Sequence, residues 1–375
     1  MTLERIVSLC ILLIVFVCKT QGQPRVDSIK WMRSEIMTSE MKNKRHSFFE
    51  IDSSYIEPQH YNLTFMMQNT NTYEVYRLSN SQQQSITFAP ETAVKVGPYF
   101  GWRWAVLGYT LDIRHLSLKS DSRRRKEYNL SFYSSVMGLD IYFRKTGNDY
   151  KIRNIYLGED VDTQPLRGAD FSGLSSSIKG FNLYYIINHR KFSYPAAFSQ
   201  STVQRRSAGS MLLGIGYTRH KLSMNWVEMG RLIDRHLQLP QEVTRLDTTL
   251  RSTTVRYTDI SLSAGYAYNW VFAHNWLLAG SLSLGLSYKE TTGDMEHRRL
   301  SFREFTLSNL SLDGIGRFGI VWNNTRWYAG ASTILHAYNY RRKQFSTNNF
   351  FGSINVYVGV NFIRKGNQNK RKNDS

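Results

Sequence analysis

Between Trp276 and Tyr288 the chain alternates residue by residue. Trp276, Leu278, Leu282, Leu284, Leu286 and Tyr288, with Gly280 among them, fall on one side, and Ala279, Ser281, Ser283, Gly285 and Ser287 fall on the other. Side chains point to opposite faces along a β-strand, so this segment predicts a strand with one greasy face and one small, polar face. The preceding segment sets Ile260, Leu262, Ala264, Tyr266, Tyr268 and Trp270 against Asp259, Ser261, Ser263, Gly265, Ala267 and Asn269. Near the end of the chain, Ile354, Val356, Val358, Val360 and Phe362 oppose Ser353, Asn355, Tyr357, Gly359 and Asn361. Fainter versions run through Leu107–Ile113, Leu139–Phe143, Phe181–Ile187 and Met211–Tyr217.

A soluble β-sandwich alternates as well, but several of these segments run past ten residues, beyond the five or six typical of sandwich strands. Their polar face carries Gly, Ser, Ala, Asn and Asp rather than Lys and Glu, which suits a crowded interior better than open water. Aromatics bracket the short connections, as in the interfacial girdles of membrane barrels: Trp270, Phe272 and Trp276; Trp322 and Trp327; Tyr99, Phe100, Trp102 and Trp104. The expected fold is all-β, an antiparallel transmembrane β-barrel of about 12 strands. The strands are placed near 61–79, 85–98, 102–114, 127–135, 138–147, 178–190, 207–226, 255–270, 275–290, 303–322, 326–341 and 350–363. Short turns are expected at Tyr99–Gly101, Val271–Asn275 and Asn323–Thr325, and long connections at 115–126, 148–177, 227–254 and 291–302. Merging or splitting at Ser134–Gly138 or at the long connection 191–206 would change the count to ten or fourteen.

The composition agrees. The 375 residues are 41% hydrophobic and 14% aromatic, which excludes a disordered chain, and a mean hydropathy of −0.41 with no long apolar run excludes a helical membrane protein. Residues 1–22 form an address: Arg5, an apolar stretch from Ile6 to Cys18 too short to span a bilayer, and small residues at Thr20 and Gly22 before a cut. Both cysteines, Cys10 and Cys18, lie inside it, so the expected mature chain has no disulfide, Cys-ligated metal or Cys nucleophile. Residues 23–60 are expected to be a periplasmic extension, with Ile29, Met32, Ile36 and Met37 at roughly helical spacing. Residues 61–363 form the barrel, and 364–375 a disordered basic periplasmic tail.

At this point the wording of particular stretches counts. DSSYIEPQHYNLTFMMQNTNTYEVY (52–76), SITFAPE (85–91), KVGPYFGWRWAVLGYTLDI (95–113), GLDIYFRKTGNDYKIR (138–153) and FSYPAAFSQSTVQRRSAGS (192–210) resemble an uncharacterised Bacteroidetes family, domain of unknown function 4421. The resemblance covers nearly the whole mature chain and implies an outer-membrane barrel, with no catalytic or ligand residues to carry over.

Chemistry is sparse. Nine histidines show no HExxH or HxH spacing, several falling in turns or loops where solvation is the default, so neither a metal nor a cofactor is expected. Serine–histidine pairs for a lipid acyl hydrolase or acyltransferase would be His336 with Ser332, or His220 with Ser210 or Ser223. However, no GxSxG elbow is present, and serine at every second position is what a crowded interior needs. LLGIGYT (212–218) and DGIGRFGI (313–320) read as strand glycines rather than phosphate loops, because no helix follows them.

By register, Asp140, Tyr142, Arg144, Asn182, Tyr184, Asp259, Asn269, Asp313, Arg317, Asn355 and Tyr357 should point into the lumen, with opposite charges paired. Arginine at Leu278, Leu282, Leu284 or Val358 should then be costly, and at Ser283 or Asn355 milder. With 48 Lys+Arg against 29 Asp+Glu the chain carries +19, but a secreted barrel does not meet nucleic acid. The basic runs Arg123, Arg124, Arg125 and Lys126, then Arg298 and Arg299, then Arg341, Arg342 and Lys343 are expected at one rim, contacting phosphates of outer-membrane lipid such as lipopolysaccharide. The function expected is a non-enzymatic integral barrel of the cell outer membrane, structural or a narrow pore, with a lipid-active barrel enzyme as the alternative.

Overall fold

Each alternating segment has a greasy side to cover and a ladder of backbone N–H and C=O groups to pair. In the computed structural model one antiparallel sheet satisfies the ladders. The structure describes residues 50–80, 84–90, 92–102, 105–108, 111–112, 126–146, 149–159, 161–237, 254–292, 310–341 and 345–364. The address at 1–22, the helical spacing at 29–37, the tail from 365 and most of the basic runs lie outside these residues.

The strands are β1 (Ile56–Pro58), β2 (Tyr61–Asn80), β3 (Ser85–Pro90), β4 (Ala93–Trp102), β5 (Ala105–Gly108), β6 (Leu111–Asp112), β7 (Lys126–Tyr133), β8 (Met137–Lys145) and β9 (Tyr150–Tyr156). They continue with β10 (Asp170–Phe171), β11 (Leu174–Ile186), β12 (Thr202–Gln204), β13 (Ala208–Met224), β14 (Thr254–Ala273), β15 (Trp276–Thr292), β16 (Leu310–Asn323), β17 (Trp327–Arg341) and β18 (Phe345–Arg364). Two helices are described, α1 (Tyr194–Phe198) and α2 (Trp226–Leu237).

The wall runs β4–β2–β18–β17–β16–β15–β14–β13–β11–β8–β7, with β5 and β6 continuing it beyond β4 in a single register. Counted that way it has twelve strands among the described residues. The sheet curls: Asp140 on β8 reaches Arg317 on β16, and Tyr76 on β2 lies within hydrogen-bond distance of Ser176 on β11, although six strands separate β2 from β11 along the sheet. The concave face is buried toward both ends and half-buried at mid-strand positions such as Gln68, Ser263 and Asn355, and the convex face carries the apolar rows. On β15, Leu282 and Leu284 are 58% and 51% exposed, whereas Ser281, Ser283 and Ser287 between and beside them are buried. A greasy outer belt around a polar interior is the build of a transmembrane β-barrel.

Three details of the strand layout differ from expectation. Tyr99–Gly101 is not a turn. It continues β4 in register with Thr64–Met66 of β2, and the chain reverses after Trp102, where pairing with β2 ends. The strand expected at 85–98 is broken at 91–92. There its register on β2 shifts by one residue and its other neighbour changes from β9 to β5 and β6. The long connections are also structured: 148–177 contains β9 and β10, and 227–254 begins within α2. Ser134–Gly138, by contrast, is a true reversal. The Ser134 N–H donates to Met137 O at 2.8 Å and closes the β7–β8 hairpin.

Tight turns join β7 to β8, β14 to β15 and β16 to β17 at one end of the barrel, the turn end, where β2 begins and β18 finishes. Most of the longer connections gather at the opposite, loop end; the exception is 187–207, which joins β11 to β13 at the turn end.

Candidate functional site

At the turn end the connection between β11 and β13 folds inward. Ser193 caps α1 by accepting the Ala196 N–H at 3.2 Å, and Pro195 pre-sets the first turn. This short helix buries Tyr194, Ala196 and Ala197, the alanines packing on Leu277, Ala279 and Val321 of the wall. Its polar groups bind wall residues on several strands. Tyr194 OH lies 2.8 Å from Ser281 Oγ, Gln200 Nε2 donates to Tyr357 OH at 2.9 Å, and Asn323 Nδ2 donates to Gln200 Oε1 at 3.1 Å. Asn269 Nδ2 donates to Ser193 O at 2.8 Å and to Gln204 Oε1 at 3.1 Å. Residues 187–207 are thus a plug rather than a turn.

The plug is clasped from outside by β1, which pairs with β12. Arg205 donates through Nε to Glu57 Oε2 at 2.5 Å and through Nη1 to Asn275 at 2.7 Å, and His60 lies 2.8 Å from Glu57 Oε1. Partial burial alone would raise the Glu57 carboxyl, but the His60 and Arg205 hydrogen bonds outweigh it and hold it below its ordinary value.

Two charge clusters occupy the middle of the barrel. Arg317 pairs with Asp140, which also accepts from Ser131 Oγ at 2.6 Å and Tyr133 OH at 3.2 Å; Arg317 Nη1 donates to Tyr194 OH at 3.2 Å. Lys289 Nζ lies 2.8 Å from Asp313 Oδ1 and 3.5 Å from Asp259 Oδ2, and Ser287 Oγ donates to Asp313. Beside the lysine, whose Nζ lies 5.8 Å from the Tyr338 ring, Tyr142 OH bonds Thr218 Oγ1 at 2.6 Å and Tyr338 OH at 3.0 Å, while the Arg144 guanidinium stands 4.8 Å from the Phe351 ring.

Of the residues assigned to the lumen, Asp140, Tyr142, Arg144, Asn182, Tyr184, Asp259, Asn269, Asp313, Arg317 and Tyr357 are buried on the inward face. Asn355 is half-buried there, accepting from Gln68 at 3.1 Å. The structure brings together Asp140 with Arg317, and Asp259 with Asp313 through Lys289, a residue the sequence reading passed over although it continues the inward row of Ser281–Ser287. It also passed over Tyr194, Gln200 and Gln204, whose signal was a connection too long for a turn yet rich in apolar and amide residues.

The loop end is sealed differently. Tyr76, Leu78, Ile86, Phe88, Tyr150, Ile152 and Phe171 form a buried cluster with Leu166, Leu222, Met224 and one face of α2. Met229, Leu232 and Ile233, at helical i, i+3, i+4 spacing, supply that face. Beneath this cap Glu74, Tyr76, Ser176 and His220 are all buried. Tyr76 OH donates to Glu74 Oε1 at 2.6 Å, and Ser176 Oγ lies 3.1 Å from His220 Nε2.

The serine–histidine pairs that the lipid-active alternative would use are otherwise engaged. Ser210 Oγ donates to Met211 O and accepts the Asn188 N–H, Ser223 faces Thr254, and His336 stacks on Phe351 with ring centroids 4.8 Å apart. His189, His220 and His336, all within expected strands, are buried by strand register and the chain reversal after β11. No cluster of three metal-ligating side chains occurs among the described residues. Of the basic runs, Lys126 and Arg341 fall at the loop ends of β7 and β17, and the others lie outside the described residues.

No curated protein sequence matches the chain. Among solved structures it is similar to the outer membrane protease OmpT of Escherichia coli, with 5% identity, 80% of this chain and 97% of that chain covered, and a TM-score of 0.31. It is also similar to the translocator domain of the autotransporter NalP of Neisseria meningitidis, with 11% identity, 89% and 99% coverage and a TM-score of 0.26. The β domain of the Bordetella autotransporter BrkA matches at 12% identity, 80% and 100% coverage and a TM-score of 0.32. These likenesses concern build, and no role is read from them. A family model does span the barrel, clasp and plug together: over residues 50–362 the chain belongs to the family described as domain of unknown function 4421.

Proposed function

We propose that the protein is a non-enzymatic, closed barrel of the outer membrane with a structural role: an apolar wall that holds a filled interior and a folded cap at a fixed depth. The observation that carries this is the interior itself. The Asp140–Arg317 pair crosses it next to the 187–207 plug, where Arg317 reaches Tyr194, the plug is hydrogen-bonded into one mouth, and an apolar cluster seals the other. A narrow pore would need a water-lined path through these layers. Recordings of the refolded protein in planar bilayers should therefore show no steady conductance; a stable open-channel current would replace the structural reading with a pore.

Three tight turns at one end, and most of the long connections at the other, fit the pattern of outer-membrane barrels, whose turns face the periplasm. On this reading the leader 1–22 is removed, the plug faces the periplasm and the cap faces outward. The basic runs would then meet anionic headgroups of lipopolysaccharide at the outer rim. Neutralising all three runs should reduce lipopolysaccharide co-purification, and unchanged co-purification would make them ordinary loop charges.

The Ser176–His220 contact favours a second reading, a lipid acyl hydrolase or acyltransferase. Both groups are buried, so such an enzyme would have to lift its cap. Absence of acyl release from outer-membrane lipid by the wild type would remove this reading, and release abolished by Ser176→Ala would establish it.

A further inference from the structure

We infer that an open groove on the outward face of the sheet, at the loop end, binds the phosphorylated sugar headgroup of an outer-leaflet glycolipid; this rests on the outer-membrane reading above. The groove has a volume of about 510 Å³ and is lined by Arg77, Ser79, Ser85, Asn154 and Tyr156. They come from three adjacent strands in register. Ser79 on β2 pairs with Ser85 on β3, which pairs with Tyr156 on β9; Arg77 pairs with Thr87, and Thr87 with Asn154. The register shift on β9 between Thr87 and Phe88 leaves Arg153 unpaired there, and Arg153 and Asn154 are both exposed.

Position argues for a lipid headgroup. Along the outward row of β2, Arg77 follows Tyr73 and Val75, and on the neighbouring strand Arg77 pairs with Asn348, one outward position beyond the exposed Phe350. The groove thus begins where the apolar belt ends. Its chemistry argues for a phosphosugar. Arg77 is exposed, has no acidic partner among the described residues, and no carboxylate lines the groove. A guanidinium fork matches phosphate oxygens, while the amide, the two hydroxyls and the phenol suit sugar hydroxyls and a ring face.

The test is native mass spectrometry of the full chain refolded in detergent, titrated with bis-phosphorylated lipid A, with the same lipid dephosphorylated, and with inorganic phosphate. Losing one charge-assisted hydrogen bond should make Arg77→Gln bind bis-phosphorylated lipid A about tenfold more weakly. Asn154→Ala should weaken it less, and dephosphorylated lipid A should bind Arg77→Gln as it binds the wild type but Asn154→Ala more weakly. Equal retention of bis-phosphorylated lipid A by wild type, Arg77→Gln and an Arg77→Gln/Asn154→Ala pair would overturn the site. Inorganic phosphate binding as tightly as the lipid would overturn the lipid assignment. Heat-modifiable gel mobility, measured on every sample, separates the two levels. If it is retained while binding is unaffected, the site alone fails; if the wild type lacks it, the membrane reading fails first.

Discussion

Arg317 on β16 meets Asp140 on β8 across the barrel interior, with four strands of the sheet between them and both side chains buried. Neither charge could remain there alone, since taking an ion out of water costs several kcal/mol unless a partner compensates it. Arg317→Met should therefore destabilise the barrel by about 3–5 kcal/mol, because Asp140 is left buried and unpaired. Asp140→Leu combined with Arg317→Met should recover much of that loss. Urea unfolding of the refolded variants, followed by gel mobility, measures both; equal stability of Arg317→Met and wild type would show that the two groups do not pair.

The belt gives a second expectation. Leu282→Arg or Leu284→Arg should cost about 2–4 kcal/mol near the bilayer midplane, while alanine at either place should cost much less. Arginine at the inward-facing Ser283 should be milder than at Leu282 or Leu284 in the same assay. Its cross-strand neighbour Gly265 is the tight position on that face: a Cβ there would lie 2.3 Å from Ser283 Oγ, so Gly265→Ala should be costly.

Much of the wall was legible because lipid imposes a strict rule: every second residue facing it must be apolar, and the pattern persists for as long as the strand crosses. Asp259, Asn269 and Asp313 could be assigned inward from that parity alone. Which inward residues meet was not legible, because the Asp140–Arg317 contact depends on how far the sheet curls. The plug and cap were missed for a related reason. Tyr194, Gln200 and Met229 are held by contacts distant in sequence, and the segments that carry them have no sustained period. Tyr99–Gly101 misled because aromatics beside a glycine mark an interface as readily as a turn.

The plug should be separable from the wall. Asn269→Ala removes the donor that holds Ser193 O and Gln204 Oε1, and an unmet buried acceptor costs about 1–3 kcal/mol. Limited proteolysis should then cut within 187–207 faster than in the wild type while the strands stay protected. An unchanged cleavage pattern would place the plug's anchorage elsewhere.

The clasp should depend on pH. Glu57 titrates lower in the folded protein than its ordinary value of 4.5, so its contribution is complete well above that value and fades as pH falls through the depressed folded value. The pair is partly solvent-exposed, so the effect is modest. Proteolysis of 187–207 should rise in the wild type as pH falls from 4.5 through the depressed folded value, and should already be raised at neutral pH in Glu57→Gln. Identical pH profiles for the two would remove Glu57 from the clasp.

The central claim, that the barrel is filled, is tested most directly by the water accessibility of its interior. In a chain with Cys10 and Cys18 replaced by Ser, single substitutions Ser281→Cys and Ser287→Cys place a thiol at buried inward positions, and His274→Cys places one at the exposed β14–β15 turn. With a water-soluble maleimide applied to the folded protein, His274→Cys should label promptly, and Ser281→Cys and Ser287→Cys only after denaturation. Prompt labelling of both interior thiols in the folded barrel would mean an open, water-filled lumen and would contradict the account.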